Sequence, residues 1–307
     1  MVEKLIIDTD PGVDDAMAIF FAMLHPDIEL VGLTAIFGNV TVDIATRNAI
    51  ALSEIGKTPV PVARGAETPL SITPNPVSDY VHGAEGFGDI PPYPIKGKAV
   101  AQTAAEFIVS EINKAPGEIT LCPIGPMTNI ALALQLDPSI ASKVKQVVIM
   151  GGAYPMAGNV TDYAEANIWN DPHAADQVFA ADWPLTMIGL DVTSQVICTR
   201  DDFAKVAETA PVLGGFLAEA ADFYIRFYEK HVDVSGCYLH DPAAVIACIR
   251  PDLFTLENHA IEVKLSGKEI GQTALANDPA RVTSQIGAKI DGDTVKALFL
   301  DTIASGF

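Results

Sequence analysis

The chain has 307 residues, 49% hydrophobic and 19% charged, with a formal net charge of −20. A chain this long buries about three quarters of its extended-chain surface on folding, so a large core is available. No apolar run is long enough to span a bilayer and no basic stripe could neutralise phosphates, which excludes membrane-spanning and nucleic-acid-binding classes and leaves a substrate that is neutral, cationic or brought in by a metal.

A short apolar run opens the chain at 4–7, and further runs bounded by turn residues, most rich in Val and Ile, follow at 30–37, 59–62, 119–123, 146–150 and 185–190. Runs this continuous predict strands buried on both faces. Helical spacing occupies 14–24, 42–55, 101–112, 127–135 and 174–181 between them. After about residue 200 the pattern turns helical at 215–228 and 241–249, then strand-like at 260–265. Alternation of this kind predicts an α/β fold, a single domain over residues 1–307 with a mainly parallel, Rossmann-like sheet flanked by helices. Ligands of such sheets bind beyond the carboxyl ends of the strands, where the active site is expected. The stretch 68–98, rich in Pro and Gly, predicts a long loop of the kind that forms lids or binding segments. Cys122, Cys198, Cys237 and Cys248 form no CxxC pair, and with no signal-peptide start the reading is a cytoplasmic protein with reduced thiols.

Four aspartates, Asp8, Asp10, Asp14 and Asp15, crowd into eight residues after the first predicted strand, with no basic residue among them. One Asp before a Pro-Gly pair would read as a helix cap. Four repel one another unless they share a cation, and close-set carboxylate oxygens are the ligands that Ca2+ or Mg2+ prefers. Further polar clusters follow other strands: Gly38-Asn39, Ile124-Gly125-Pro126 and Gly151-Gly152. Gly125-Pro126 and Gly151-Gly152 are each ordinary punctuation when taken alone, but together the clusters mark one edge of the sheet. Asp171-Pro172 reads as an N-cap with proline at the first helical position, which leaves Asn159, Glu165 and Asn167 free to bind hydroxyls. In His240-Asp241-Pro242 the aspartate reads equally as cap or ligand, and His82 lies in the long loop.

These blocks, in order along nearly the whole chain, resemble the inosine-uridine preferring nucleoside hydrolases: Asp8 through Asp15, Gly38-Asn39-Val40, Pro123 through Ala131, Met150-Gly151-Gly152, Gly158 through Asn167, and His240-Asp241-Pro242. The resemblance implies hydrolysis of the N-glycosidic bond of ribonucleosides by a homodimer or homotetramer that binds Ca2+. It makes Asp10, Asp15 and Asp241 carboxylate ligands of that ion, with the carbonyl of Ile124 as a further ligand. A water and the ribose 2′- and 3′-hydroxyls would complete the shell. Asp14, Asn39, Asn159, Glu165 and Asn167 become ribose-binding positions, and Asp10 doubles as general base on the water.

This residue set suits the reaction. Breaking a ribosyl C–N bond passes through an oxocarbenium-like state that excess carboxylates stabilise. The departing base needs a proton donor, for which His240 is the first candidate and His82 the second. No Lys or Arg falls in any block, which favours nucleosides over nucleotides. Two other readings compete. A non-catalytic nucleoside or ribose binder would keep the metal cage without turnover. A Mg2+-dependent phosphatase of the haloacid dehalogenase type would use Asp8 as nucleophile and Asp10 as acid/base, but would want a lysine near the phosphate.

Overall fold

A computed structural model describes residues 2–307. The first strand, β1 (Glu3–Thr9), is followed by helix α1 (Val13–Leu24), β2 (Ile28–Ala35), α2 (Val42–Ile55), β3 (Val62–Arg64), the one-turn α3 (Asp79–His82), α4 (Ala104–Lys114), β4 (Ile119–Pro123), α5 (Thr128–Leu136) and β5 (Gln146–Met150). Then come α6 (Ala166–Asn170), α7 (Pro172–Ala180), β6 (Leu185–Ile188) and α8 (Leu190–Thr193). The last third holds β7 (Ile197–Cys198), α9 (Arg200–Thr209), α10 (Leu213–His231), β8 (Cys237–Tyr238), α11 (His240–Ile249), β9 (Phe254–Val263), β10 (Thr273–Leu275), β11 (Thr283–Ile290) and α12 (Gly292–Ala304).

Nine strands form the central sheet in the order β10-β9-β11-β6-β5-β4-β1-β2-β3. Those from β11 to β3 run parallel, and β9 and β10 add an antiparallel edge. Successive side chains of a strand point to opposite faces, so β1 feeds two cores. Leu5 and Ile7 pack with α1, α10, α11 and α12, whereas Ile6 packs with α4, α5 and α7. The parallel arrangement brings the carboxyl ends of β1, β2, β4 and β5 to one edge, carrying Asp10, Asn39, Ile124 and Gly151 with them.

Several boundaries differ from the sequence pattern. The run 59–62 does not pair as read: the strand is Val62–Arg64, because Pro59 and Pro61 have no N–H to give a ladder. The run 185–190 stops at Ile188, and Gly189 leads into the one-turn α8. The strand expected at 260–265 is the end of a longer one, Phe254–Val263. Among the described residues no helix is long and apolar enough to cross a membrane.

Candidate active site

Strand β1 ends at Thr9, and Asp10-Pro11-Gly12 turns the chain into α1, whose first residues include Asp14 and Asp15. Asp15 is held firmly: Thr9 donates its hydroxyl to Oδ1 at 2.5 Å, and Gly12 N–H and Asn39 Nδ2 donate to Oδ2 at 2.9 and 3.2 Å. Asp10 has one partner, the Asn39 N–H on Oδ2 at 2.6 Å, while its Oδ1 is buried without one. Two glycines make room for it. A Cβ on Gly38 would stand 2.0 Å from Asp10 Oδ2, and one on Gly125 would stand 2.5 Å from Oδ1. Gly125 reads in the sequence as turn punctuation, and at both glycines the close approach of the carboxylate is the reason no larger side chain fits.

Asp241 enters from the far side, in the first turn of α11. It does not cap that helix: the N-cap is Leu239 and no side-chain cap bond forms, so the carboxylate is free for another use. Oxygens of Asp14, Asp15 and Asp241 all lie within 4.8 Å of one another, and all three residues are buried. Asp10 lies outside this group of three, although its charge reaches Asp241. Burial pushes the four carboxyls above their ordinary range, with repulsion from neighbouring aspartates adding to it for Asp10, Asp14 and Asp241; Asp14 is raised to about 7, and Asp10 and Asp241 are raised well above the usual carboxylate value. Asp14 Oδ1 and Asp10 Oδ1 are buried with no hydrogen-bond partner among the described residues. Buried acceptors left unpaired are costly, and a hard divalent cation among them would satisfy both charge and lone pairs.

The cavity above the carboxylates has a volume of about 330 Å3 and is lined by Asp14, Asn39, His82, Ile124, Asn159, Glu165, Asn167, His240 and Asp241, together with Tyr224 and Tyr228 of α10. Among the described residues no Lys or Arg lines it. Its mouth includes Tyr80, which is 62% exposed, with Met156 and Val232.

Glu165 is less free than its spacing suggested. A second helix, α6, starts beside it and needs its own cap, so the carboxylate accepts backbone N–H groups of Asn167, Ile168 and Gly152 at 2.9, 3.1 and 2.9 Å. Burial nevertheless raises its pKa to about 6. Asn159 Oδ1 accepts from Ala166 N–H, and Asn167 Nδ2 donates to the carbonyls of Ile124 and Met150 at 3.0 and 3.1 Å. What remains for a ligand is the Asn159 amide NH2 and Asn167 Oδ1. Asp171 caps α7 as expected, through Ala174 N–H.

The two histidines differ. His82 is buried and stacks on Tyr224 with ring centroids 5.1 Å apart, and its Nδ1 accepts from Val13 N–H at 3.2 Å. The proton therefore sits on Nε2, which has no partner among the described residues. His240 has both nitrogens engaged, Nδ1 with Thr193 at 2.7 Å and Nε2 with Tyr228 at 3.0 Å. The ring lines the cavity, and to donate to a nucleobase it would have to give up one of these two partners. Burial lowers both pKa values, His82 to about 3 with the help of His240 and His240 to about 4, so both rings are neutral near pH 7. Thr193 escaped the sequence reading altogether, because no local pattern connects it to the site.

The profile of the inosine-uridine preferring nucleoside hydrolases matches residues 5–297. The chain belongs to that family. Among nucleoside hydrolases and nucleosidases it is 42% identical to a probable uridine nucleosidase of Arabidopsis thaliana, covering 98% of this chain and 97% of that one. It is 37% identical to the inosine-uridine preferring nucleoside hydrolase of Crithidia fasciculata, covering 99% and 98%. Two solved nucleoside hydrolases superpose closely, each 36% identical: a plant enzyme with a TM-score of 0.96 over 99% of this chain and 100% of its own, and a purine-preferring ribonucleoside hydrolase from Gardnerella vaginalis with 0.94 over 98% of each. The nucleoside hydrolase fold thus extends along nearly the whole chain, and the carboxylate group and cavity lie at the carboxyl edge of its sheet.

Proposed function

We propose that this nucleoside hydrolase cleaves the N-glycosidic bond of ribonucleosides, uridine and inosine among them, in a Ca2+-dependent reaction that releases ribose and the free base. One observation carries the reading: the buried carboxylates of Asp14 and Asp241, Asp14 with an unpaired oxygen, line a cavity that, among the described residues, no Lys or Arg lines, with Asp15 close behind them. Asp10, Asp15, Asp241 and the carbonyl of Ile124 would hold the ion, and Asp14, whose oxygen completes the close group, would face the ribose. The all-oxygen donor set suits calcium and not zinc. When bound, the ion supplies a positive field that acidifies a water and anchors the ribose 2′- and 3′-hydroxyls.

The chain's own residues account for the remaining chemistry. Asp10 Oδ1, buried and unpaired, is the acceptor for the proton of the attacking water. Asp14 and Glu165 leave the local charge negative, which favours positive charge developing on the ribose. Asn159 donates and Asn167 accepts, a pairing matched to a sugar hydroxyl. His82 offers the Nε2–H to the departing base. A phosphatase reading is not supported: it wants a lysine near the phosphate and, among the described residues, none lines the cavity, while Asp8 Oδ1 is taken up by Thr34 and Asn129. A homodimer or homotetramer in the cytoplasm, acting on free nucleosides and on neither nucleic acid nor membrane, completes the proposal.

Ribose release from purine and pyrimidine ribonucleosides, with nucleotides as controls, tests the function and separates an enzyme from a binder. kcat/KM for 2′-deoxyuridine and 2′-deoxyinosine is expected to fall by on the order of 10⁴-fold, because a site built for a hydroxyl is left with unpaired groups when it is missing. Equal values for ribo and deoxy substrates would dismiss the ribose site described above. His82→Ala is expected to lose roughly 10²-fold or more in kcat for uridine, yet to hydrolyse 4-nitrophenyl riboside, whose leaving group needs no proton, at close to the wild-type rate. An equal loss on both substrates would mean that His82 is not the donor.

A further inference from the structure

The cavity wall contains an unbroken series of side-chain hydrogen bonds. Thr193 Oγ1 meets His240 Nδ1 at 2.7 Å, His240 Nε2 meets the Tyr228 hydroxyl at 3.0 Å, Tyr228 meets the Tyr224 hydroxyl at 3.2 Å, and Tyr224 donates to Asp14 Oδ2 at 3.1 Å. All five residues are buried, Thr193 completely at 0% exposure. A hydroxyl or a neutral imidazole can donate or accept, so distances alone leave the first three links without a direction.

The two ends supply it. A helical threonine commonly turns its hydroxyl back to a carbonyl of its own helix, but among the described residues the only hydrogen-bond partner of the Thr193 hydroxyl is His240. Were it to accept there, its hydrogen would be buried without a partner, a costly arrangement. Thr193 therefore donates to Nδ1, which places the His240 proton on Nε2. That N–H donates to the Tyr228 oxygen, and Tyr228 is left to donate to Tyr224. At the other end the Asp14 oxygen accepts from Tyr224, which must itself accept from Tyr228. Both ends require the same direction, and every hydrogen along the series is committed.

We propose that Thr193 is a positioning residue for the hydrolysis, its hydroxyl fixing the tautomer of His240 and so the direction of the series that ends on Asp14 Oδ2, leaving Asp14 Oδ1 to the ligand. The kinetic side of this proposal rests on the ribonucleoside hydrolase reading above. Removing the hydroxyl frees His240 to carry its proton on either nitrogen. Whenever the proton moves to Nδ1, Tyr228 turns its hydrogen to Nε2, and Tyr224 loses the donor that aligned it on Asp14.

The test compares Thr193→Val, which keeps the shape, with Thr193→Ser, which keeps the hydroxyl, in the 307-residue chain. In 15N spectra, with His240 assigned by its loss in His240→Gln, wild type and Thr193→Ser show the proton on Nε2, and Thr193→Val loses that single form. Thr193→Val lowers kcat for uridine roughly tenfold, about 1.4 kcal/mol, with little change in KM, and Thr193→Ser restores it. A wild-type His240 protonated on Nδ1, or a Thr193→Val enzyme with undiminished kcat, overturns the proposal. If Thr193→Val does not fold, the wild-type and Thr193→Ser spectra and rates still decide. If the wild type releases no ribose from any nucleoside, the hydrolase reading fails together with the kinetic role, while the spectra separately establish or refute the tautomer.

Discussion

Asp10→Asn lowers kcat for ribonucleoside hydrolysis by roughly 10²- to 10⁴-fold, the usual loss on removing a general base. The substitution is conservative in shape, and the space around the side chain is defined by Gly38 and Gly125, whose added Cβ atoms would stand 2.0 and 2.5 Å from its oxygens. An amide fits that space and can still accept from Asn39 N–H as the carboxylate does. What it lacks is a second acceptor able to take a proton. Asp10→Ala goes further, leaving the Asn39 N–H unpaired and opening a gap beside the carboxylates, so no turnover is expected. Asp10→Glu pushes a methylene into the same tight space and is also expected to fail. Initial rates of ribose release, with circular dichroism to show an intact fold, are the measurement. Near-wild-type hydrolysis by Asp10→Asn would remove the base assignment.

Exhaustive chelation is expected to abolish turnover and Ca2+ to restore it, with a pH-dependent stabilisation as a second signature. Without a cation, the oxygens of Asp14, Asp15 and Asp241 lie within 4.8 Å of one another, and burial raises their pKa values. A carboxyl raised in the folded state contributes stability that is fully present below its unfolded pKa, about 3.9, and is lost as the pH rises through the folded value. For Asp14 that value is about 7. Metal-free protein therefore loses stability from this group as the pH climbs from about 4 to 7, and a divalent cation returns it by competing with protons. The rise in Tm on adding Ca2+ is accordingly larger at pH 8 than at pH 5. The buried histidines act in the opposite sense. His82 and His240 are held neutral, with pKa values lowered to about 3 and about 4, so they cost stability only as the pH falls below about 6.5. Full activity in a preparation shown by elemental analysis to be free of calcium would refute the metal requirement. A Ca2+ effect on Tm that does not grow with pH would refute the carboxylate origin of the linkage.

Buried strands and a well-capped amphipathic helix were the most legible elements in the sequence. The strands Ile119–Pro123 and Gln146–Met150 and the helix Val42–Ile55 have the predicted limits, because continuous Val/Ile runs and clear caps leave few alternatives. The antiparallel edge β9, β10 and β11 was legible only as a fragment at its centre. Its strands alternate buried and exposed residues, and a half-solvated edge carries a weak apolar signal. The helix α9 and the two-residue strands β7 and β8 gave no usable pattern for the same reason of length and exposure.

The placement of Asp10, Asp14 and Asp15 beyond the first strand, Asn39 and Ile124 beyond two others, and Asp241 at a helix start follows from local residue patterns and the chirality of parallel α/β units. Those rules carry the motif residues to one edge without any knowledge of side-chain contacts. Which of their lone pairs and hydrogens remain available is a different matter. Glu165 is taken up by three backbone N–H groups, and His240 by Thr193 and Tyr228, of which Thr193 lies 47 residues away in the chain. Tyr224 reaches Asp14 across 210 residues. Hydrogen bonds satisfy whatever polar group the packed core leaves within about 3 Å, and no propensity or periodicity records such a meeting between distant segments. The sequence by itself thus determined the chemical types and the edge at which they gather, and only the tertiary structure decided which atoms are left to act.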